Sequence, residues 1–280
     1  MIKRFILIIL LLSFSINIYA QPPILTISAN GRYIEAGGEP IFLLGDTCWW
    51  GLKLSKSEID IFLETRKAQG FNATLGWEPF IAPNRDRYPK YQHWHHRNGE
   101  GYFAFNNITV GNAAYTLGDI TDPNDDFFDS LDYVIEKSAE LDMYVGLIVV
   151  WNGWIGRYEW SAADIASFGE YYGNRYGGYS NVFWLCVGEA TGDRITITNT
   201  LANAIHDNIA LDQIFTMHQT TPDQGYNEQS YMDFDGIPGP HGVEPGPWNV
   251  NIYENITNAY ARSPTMPVWM MKLGMTVYKS

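Results

Sequence analysis

Glu189 closes the run Phe183-Trp184-Leu185-Cys186-Val187-Gly188, which is apolar enough to be a strand buried on both faces. A carboxylate in that position is desolvated unless it opens onto a cleft. Beside apolar and aromatic walls its pKa rises, which is what a general acid at neutral pH requires. Other apolar runs end in a similar way, with Asp46 beside Trp49 and Trp50, Asn72 with Trp77, Trp151 with Asn152 and Trp154, His218 with Gln219, and Asp235 with His241. Indole faces stack on flat ring ligands, while carboxylate, amide and imidazole groups bond hydroxyls. Taken singly, each has a packing explanation, and Asp46 suits a substrate hydroxyl and its own turn equally well. Taken together they describe a cleft for an uncharged, ring-bearing, hydroxyl-rich ligand.

Positioning such a set takes elements that all end on one side. A short β-like lead (Ile24 to Ile27, Arg32 to Ile34) precedes the apolar run Ile41 to Leu44, which we expect to be the first buried strand. Ser55 with Glu58 forms a capping box that opens a helix running to Gln69, and Gly70 stops it. A strand Phe71 to Trp77 follows, then a stretch from Glu78 to Pro123 that is longer than ordinary connections. The rest alternates: helix Asp125 to Leu141, strand Met143 to Trp151, helix Ala162 to Tyr176, strand Val182 to Glu189, helix Thr196 to Asn208 and strand Phe215 to His218. Tyr231 to Gly236, helix Trp248 to Ala261 and the strand start Pro267 to Met270 complete it. Repeated β-then-α units with continuously apolar strands predict a parallel α/β sheet. No glycine-rich phosphate loop follows the first strand, and chemistry-bearing residues sit at the C-terminal strand ends, so the expected fold is a TIM (β/α)8 barrel. About seven strands are countable, so the barrel is expected to be incomplete after the seventh.

Composition narrows the ligand. With 18 Lys+Arg against 31 Asp+Glu, the chain lacks the basic surface that nucleic acid or anionic membrane demands. Lys3 and Arg4, the apolar run Phe5 to Leu12 and the small Ala20 form the pattern of a signal peptide over residues 1–20, cleaved after Ala20. The run is too short for a membrane anchor, so residues 21–280 are expected as a secreted or periplasmic catalytic domain. Cys48 and Cys186 read as buried thiols. His93-Trp94-His95-His96 lacks metal-ligand spacing, and no Gly-x-Ser-x-Gly elbow is present, so neither a metal nor a serine nucleophile is expected; no cofactor is implied.

Four segments carry a resemblance: Gly45-Asp46-Thr47-Cys48-Trp49, Gly70-Phe71-Asn72, Phe127 to Tyr133 leading to Ala139-Glu140-Leu141, and Asn181-Val182-Phe183-Trp184-Leu185. From about Ile27 to Trp269 the chain resembles the apiosidase-like glycoside hydrolases. The resemblance implies a secreted or periplasmic (β/α)8 barrel, a plant or other complex polysaccharide as substrate, pectin side chains among them, and catalysis by two carboxylates. It places the acid/base at Glu189, where the family commonly has Asp after Gly-Gly, and strand-end histidines near the sugar at His218 and His241. On this reading Asp46, Asn72, His218 and His241 hold sugar hydroxyls, and Trp49, Trp77 and Trp151 offer stacking faces.

The family's second carboxylate follows the Pro-Val strand start. Here Pro267-Val268-Trp269 continues as Met270-Met271-Lys272-Leu273-Gly274, without one. Trp269 to Lys272 is encoded only as TGG ATG ATG AAR, and one base inserted after TGG forces Asp-Glu. We therefore expect a one-base deletion to have interrupted a longer enzyme, leaving an inactive fragment. The rival from another class is a noncatalytic glycan-binding protein on a barrel scaffold, which needs the aromatics and hydrogen bonders and only incidental carboxylates.

Overall fold

In the computed structural model the described residues are 21–79, 97–106, 119–153, 155, 160–188, 194–218, 226, 228–237, 252–263 and 265–270. The leader 1–20 expected from the sequence lies outside them. Strands β1 (Leu25–Ile27), β2 (Ile34–Ala36) and β3 (Glu39–Pro40) form an antiparallel meander. The main sheet is parallel: β4 (Gly45–Cys48), β5 (Ala73–Gly76), β6 (Tyr144–Trp151) and β7 (Val182–Gly188) lie in chain order. Phe215 bridges Trp184 in parallel, which adds the segment 214–218 as the next neighbour. Asp233 and Phe234 bond that segment through Phe215 and Thr216, leading to β8 (Asp235–Ile237), which pairs in parallel with β9 (Val268–Met270). Seven consecutive strand positions of a (β/α)8 barrel are thus present among the described residues.

Helices α1 (Lys56–Ala68), α2 (Asp125–Glu140), α3 (Ala162–Tyr176), α4 (Ile195–His206) and α5 (Ile252–Tyr260) fall in the predicted intervals. The Ser55 N–H donates to Glu58 Oε2 at 2.8 Å, the predicted capping box, and Asn124 caps α2 by accepting from the Asp126 N–H. Packing separates the two faces of each strand. Ala73, Leu75, Tyr144, Ile148, Phe183, Leu185, Ile214 and Phe234 fill the interior with Trp49 and Trp269, whereas Val145, Leu147, Trp184 and Cys186 face the helices. This alternation is the period of two that a sheet closed on itself imposes.

The first parallel strand is Gly45–Cys48, one step later than the apolar run Ile41 to Leu44 that hydropathy selects. Phe42 is 79% exposed and Leu44 41%, while Leu43 alone is buried. Asn72 stands in for a strand neighbour: its Oδ1 accepts from the Leu44 N–H and its Nδ2 donates to the Phe42 carbonyl, both at 2.8 Å. A polar side chain thus satisfies backbone groups that a ladder would otherwise pair.

The meander stops the N-terminal end of the barrel. Leu25 and Ile34 pack into the interior cluster, the Tyr144 hydroxyl donates to the Pro23 carbonyl, and Ser180 Oγ donates to that of Pro22. Arg32 lies over the Tyr260 ring and donates to the Tyr260 carbonyl at 3.0 Å. Among the described residues, this end of the barrel is occupied by the chain itself.

Candidate active site

Strand register decides which side chains face the barrel mouth. Trp151 is paired with Gly188, and ladder partners share a face. That face is the inner one, because a Cβ built on Gly188 would lie 3.2 Å from Cγ2 of the interior residue Ile148. The same Cβ would meet the Trp49 ring at 3.0 Å, so Trp49 rests on the last residue of β7 with no room for a side chain between them. His218, 4% exposed, meets Trp49 edge-on with ring centroids 5.9 Å apart. The structure therefore brings Trp49, Trp151 and His218 to the C-terminal end of the barrel around the residue that precedes Glu189.

A further carboxylate, which the sequence pattern did not single out, stands in the same region. Glu78 is 6% exposed and accepts the Trp151 backbone N–H on Oε1. Simple alternation along β5 sends Trp77 inward and Glu78 outward. Gly76 (φ 102°) and Trp77 (φ 55°) both adopt the left-handed region, which exchanges the two. Trp77 turns into the helical layer and Glu78 crosses to β6. The available signal was positional: Glu78, like Glu189, directly follows the end of an apolar strand.

Three expected site residues are committed elsewhere. Asp46 accepts from the Thr47 N–H at 2.9 Å and pairs with Arg66 on α1, so its carboxylate serves its own turn and the helix layer. Asn72 precedes β5 at the closed end, its amide bonded to the Phe42 carbonyl and the Leu44 N–H. Trp77 has no exposed surface, packs on Phe62 and donates through Nε1 to Thr74 Oγ1 at 3.0 Å, so it offers no stacking face. Asp235, also noted at a strand end, opens β8 and pairs with Arg262 at 3.3 Å. Glu189, His241, the cluster His93 to His96 and the stretch after Met270 lie outside the described residues.

The cysteines are unpaired. Burial, and then the nearby Asp46 charge, push the Cys48 thiol up to about 12, and burial raises Cys186 as well, so both remain protonated thiols and neither is an activated nucleophile. Among the described residues no group of three His, Cys, Asp or Glu is placed to hold a metal ion. No helix among them is long and apolar enough to cross a membrane.

The family described as Apiosidase-like, catalytic domain, matches residues 28–272. No curated protein matches the chain. Among solved structures, the chain is similar to a glycoside hydrolase family 5 protein from Bacteroides vulgatus ATCC 8482, with 20% identity, a TM-score of 0.68, and coverage of 89% of this chain and 53% of that one. A structure described as a glycoside hydrolase gives the same identity and score over 88% of this chain and 55% of the other. The endo-1,4-beta-mannanase from Rhizomucor miehei is 13% identical with a TM-score of 0.57, covering 88% and 80%. The chain spans about half the length of the first two, and at these identities the likeness establishes the barrel fold.

Proposed function

Because the chain belongs to the apiosidase-like family of catalytic domains, matched over residues 28–272, we propose that it is built to hydrolyse glycosidic bonds in complex plant polysaccharides, with pectin side chains as the first candidates. The observation that carries the reading is the seating of the Trp49 ring on Gly188 with His218 at its edge. It surrounds the end of β7, from which Glu189 follows, with an apolar wall and an imidazole. Glu189 is the proposed general acid/base, the carboxyl whose proton would pass to the leaving sugar oxygen. Trp151 and Trp49 offer stacking faces, and His218 and His241 bond hydroxyls.

The two-carboxylate route needs a second group that serves as nucleophile in retaining enzymes or as base in inverting ones. The family carries it just past the strand that is β9 here, and residues 267–280 contain neither Asp nor Glu. We propose that a version shifted by one base after Trp269, which gains Asp-Glu there, turns glycans over. The second reading, a noncatalytic glycan-binding protein, uses the same aromatic and hydrogen-bonding groups without a proton transfer. The pattern at residues 1–20 supports export to the periplasm or outside the cell.

The test is to assay both versions on pectic and β-mannan oligosaccharides, with Glu189→Gln in each. Turnover by the shifted version that disappears in Glu189→Gln supports the enzyme. Binding without turnover by either version, undiminished by Glu189→Gln, supports the glycan-binding alternative.

A further inference from the structure

Trp151 ends β6, and its ring orientation is fixed by its neighbours. A Cβ built on Gly153 would collide with the six-membered part of the Trp151 indole, so the ring folds back over a residue that has no side chain. Its backbone N–H is held by the buried Glu78 carboxylate from the adjacent strand, and the next carbonyl, that of Asn152, accepts from Arg194 at 2.9 Å. The chain is thus held on both sides of Trp151, and the bare Cα of Gly153 leaves room for the ring where it lies. Trp151 meanwhile remains half-buried at the end of β6, on the face it shares with its ladder partner Gly188, and packs in part on the larger core cluster.

We propose that Glu78 and Gly153 are positioning residues that set the Trp151 ring as a sugar-stacking platform, Glu78 acting through the peptide N–H and Gly153 by leaving room for the indole. The proposal rests on the reading of the mouth as a glycan site. It makes no use of Glu78 as a proton donor or nucleophile: the carboxylate is a hydrogen-bond acceptor fixed to a backbone group, and the amide of Gln can accept in the same way. A pre-set aromatic face binds a sugar ring without first being ordered, which is where its contribution to affinity arises.

The experiment uses the 280-residue protein labelled with 5-fluorotryptophan, the Trp151 resonance being assigned by its loss in Trp151→Phe. Gly153→Ala and Glu78→Leu should shift that resonance, and Glu78→Gln should restore it to near the wild-type position. Titration with pectic and β-mannan oligosaccharides should then show Gly153→Ala and Glu78→Leu weakening binding by roughly ten-fold, the scale of one stacking contact. In the Trp151→Ala background neither substitution should weaken it further. An unmoved resonance in Gly153→Ala overturns the proposal, as does a full ten-fold effect that persists in Trp151→Ala. If Glu78→Leu does not melt cooperatively, Gly153→Ala and Glu78→Gln carry the test. Should the wild-type protein bind none of the oligosaccharides while the resonance moves as described, the positioning stands and the glycan reading of the mouth falls.

Discussion

Trp49 and His218 meet edge to face across the barrel mouth, their planes inclined by 83°. The two come from strand positions that are not neighbours, one just past β4 and the other ending the segment after β7, so their contact ties the rim together. An aromatic edge contact of this kind contributes about 0.5–1.5 kcal/mol beyond area burial. Replacing either residue by Ala is expected to weaken oligosaccharide binding. The double variant should lose less than the two single losses combined, by an amount in that range. A double-mutant cycle on binding measures it, and strict additivity would show that the contact does not couple the two residues in the bound state.

Asp46→Asn should separate fold from site. The Asp46 and Arg66 side chains are each about 30% exposed, so the pair is worth about 1 kcal/mol or less, and the variant should melt slightly earlier with unchanged glycan affinity. Asn72→Ala should cost more, about 1–2 kcal/mol, because two backbone groups lose their partner together. A drop in affinity in either variant, at unchanged stability, would return these residues to the binding site.

Asp233 gives a pH signature. Its Oδ2 accepts from the Phe215 N–H at 2.8 Å and so holds the segment that presents His218. Burial pushes its carboxyl above the usual carboxylate range, against the opposing pull of that N–H. A folded pKa above the unfolded value means that the contribution to stability is fully present below the unfolded pKa and is lost as pH rises through the folded one. Asp233→Asn keeps an acceptor and removes the buried charge, so it should raise Tm at pH 7, and the gain should vanish as the pH falls below the ordinary Asp range. A gain that is constant with pH would place its origin elsewhere.

The thiols provide a simple check of the core. With Cys48 raised to about 12, its thiolate is a minute fraction at pH 8, and Cys186 is raised as well as fully buried. A chromogenic disulfide reagent should titrate neither thiol quickly in the native protein and both after denaturation. Fast reaction of one thiol before unfolding would show that the layer between sheet and helices opens locally.

Much of the fold could be read from the sequence because its signals are local. The capping box at Ser55, the helix limits Ala162 and Tyr176, and the apolar run ending at Gly188 all coincide with observed elements. Two features were hidden for physical reasons. Ile41 to Leu44 has the hydropathy of a buried strand, yet its pairing groups are taken by the Asn72 side chain, a contact between residues 28 and 30 positions apart that no local pattern encodes. At Gly76-Trp77 two left-handed residues reverse the inside-outside alternation, so the expected stacking face became core and the overlooked Glu78 reached the rim. Among the expected site residues, Trp49 and His218 obey plain alternation, whereas Trp151 follows the register shifts between Leu147 and Val150 in β6; these three are the ones the structure gathers.

The meander at the closed end carries a consequence for the order of events in folding. Gly31, where a Cβ would lie 2.8 Å from the Thr265 carbonyl oxygen, and Arg32, bound to Tyr260, complete their contacts only with residues more than two hundred positions later. The helices and neighbouring strands in between close short loops and can form as the chain lengthens, whereas this stopper waits for the far end of the polypeptide. During synthesis the floor of the vessel is therefore sealed only once residues 260–265 have emerged. Substitutions at Arg32 or Tyr260 should mainly accelerate unfolding and leave the rate of refolding nearly unchanged.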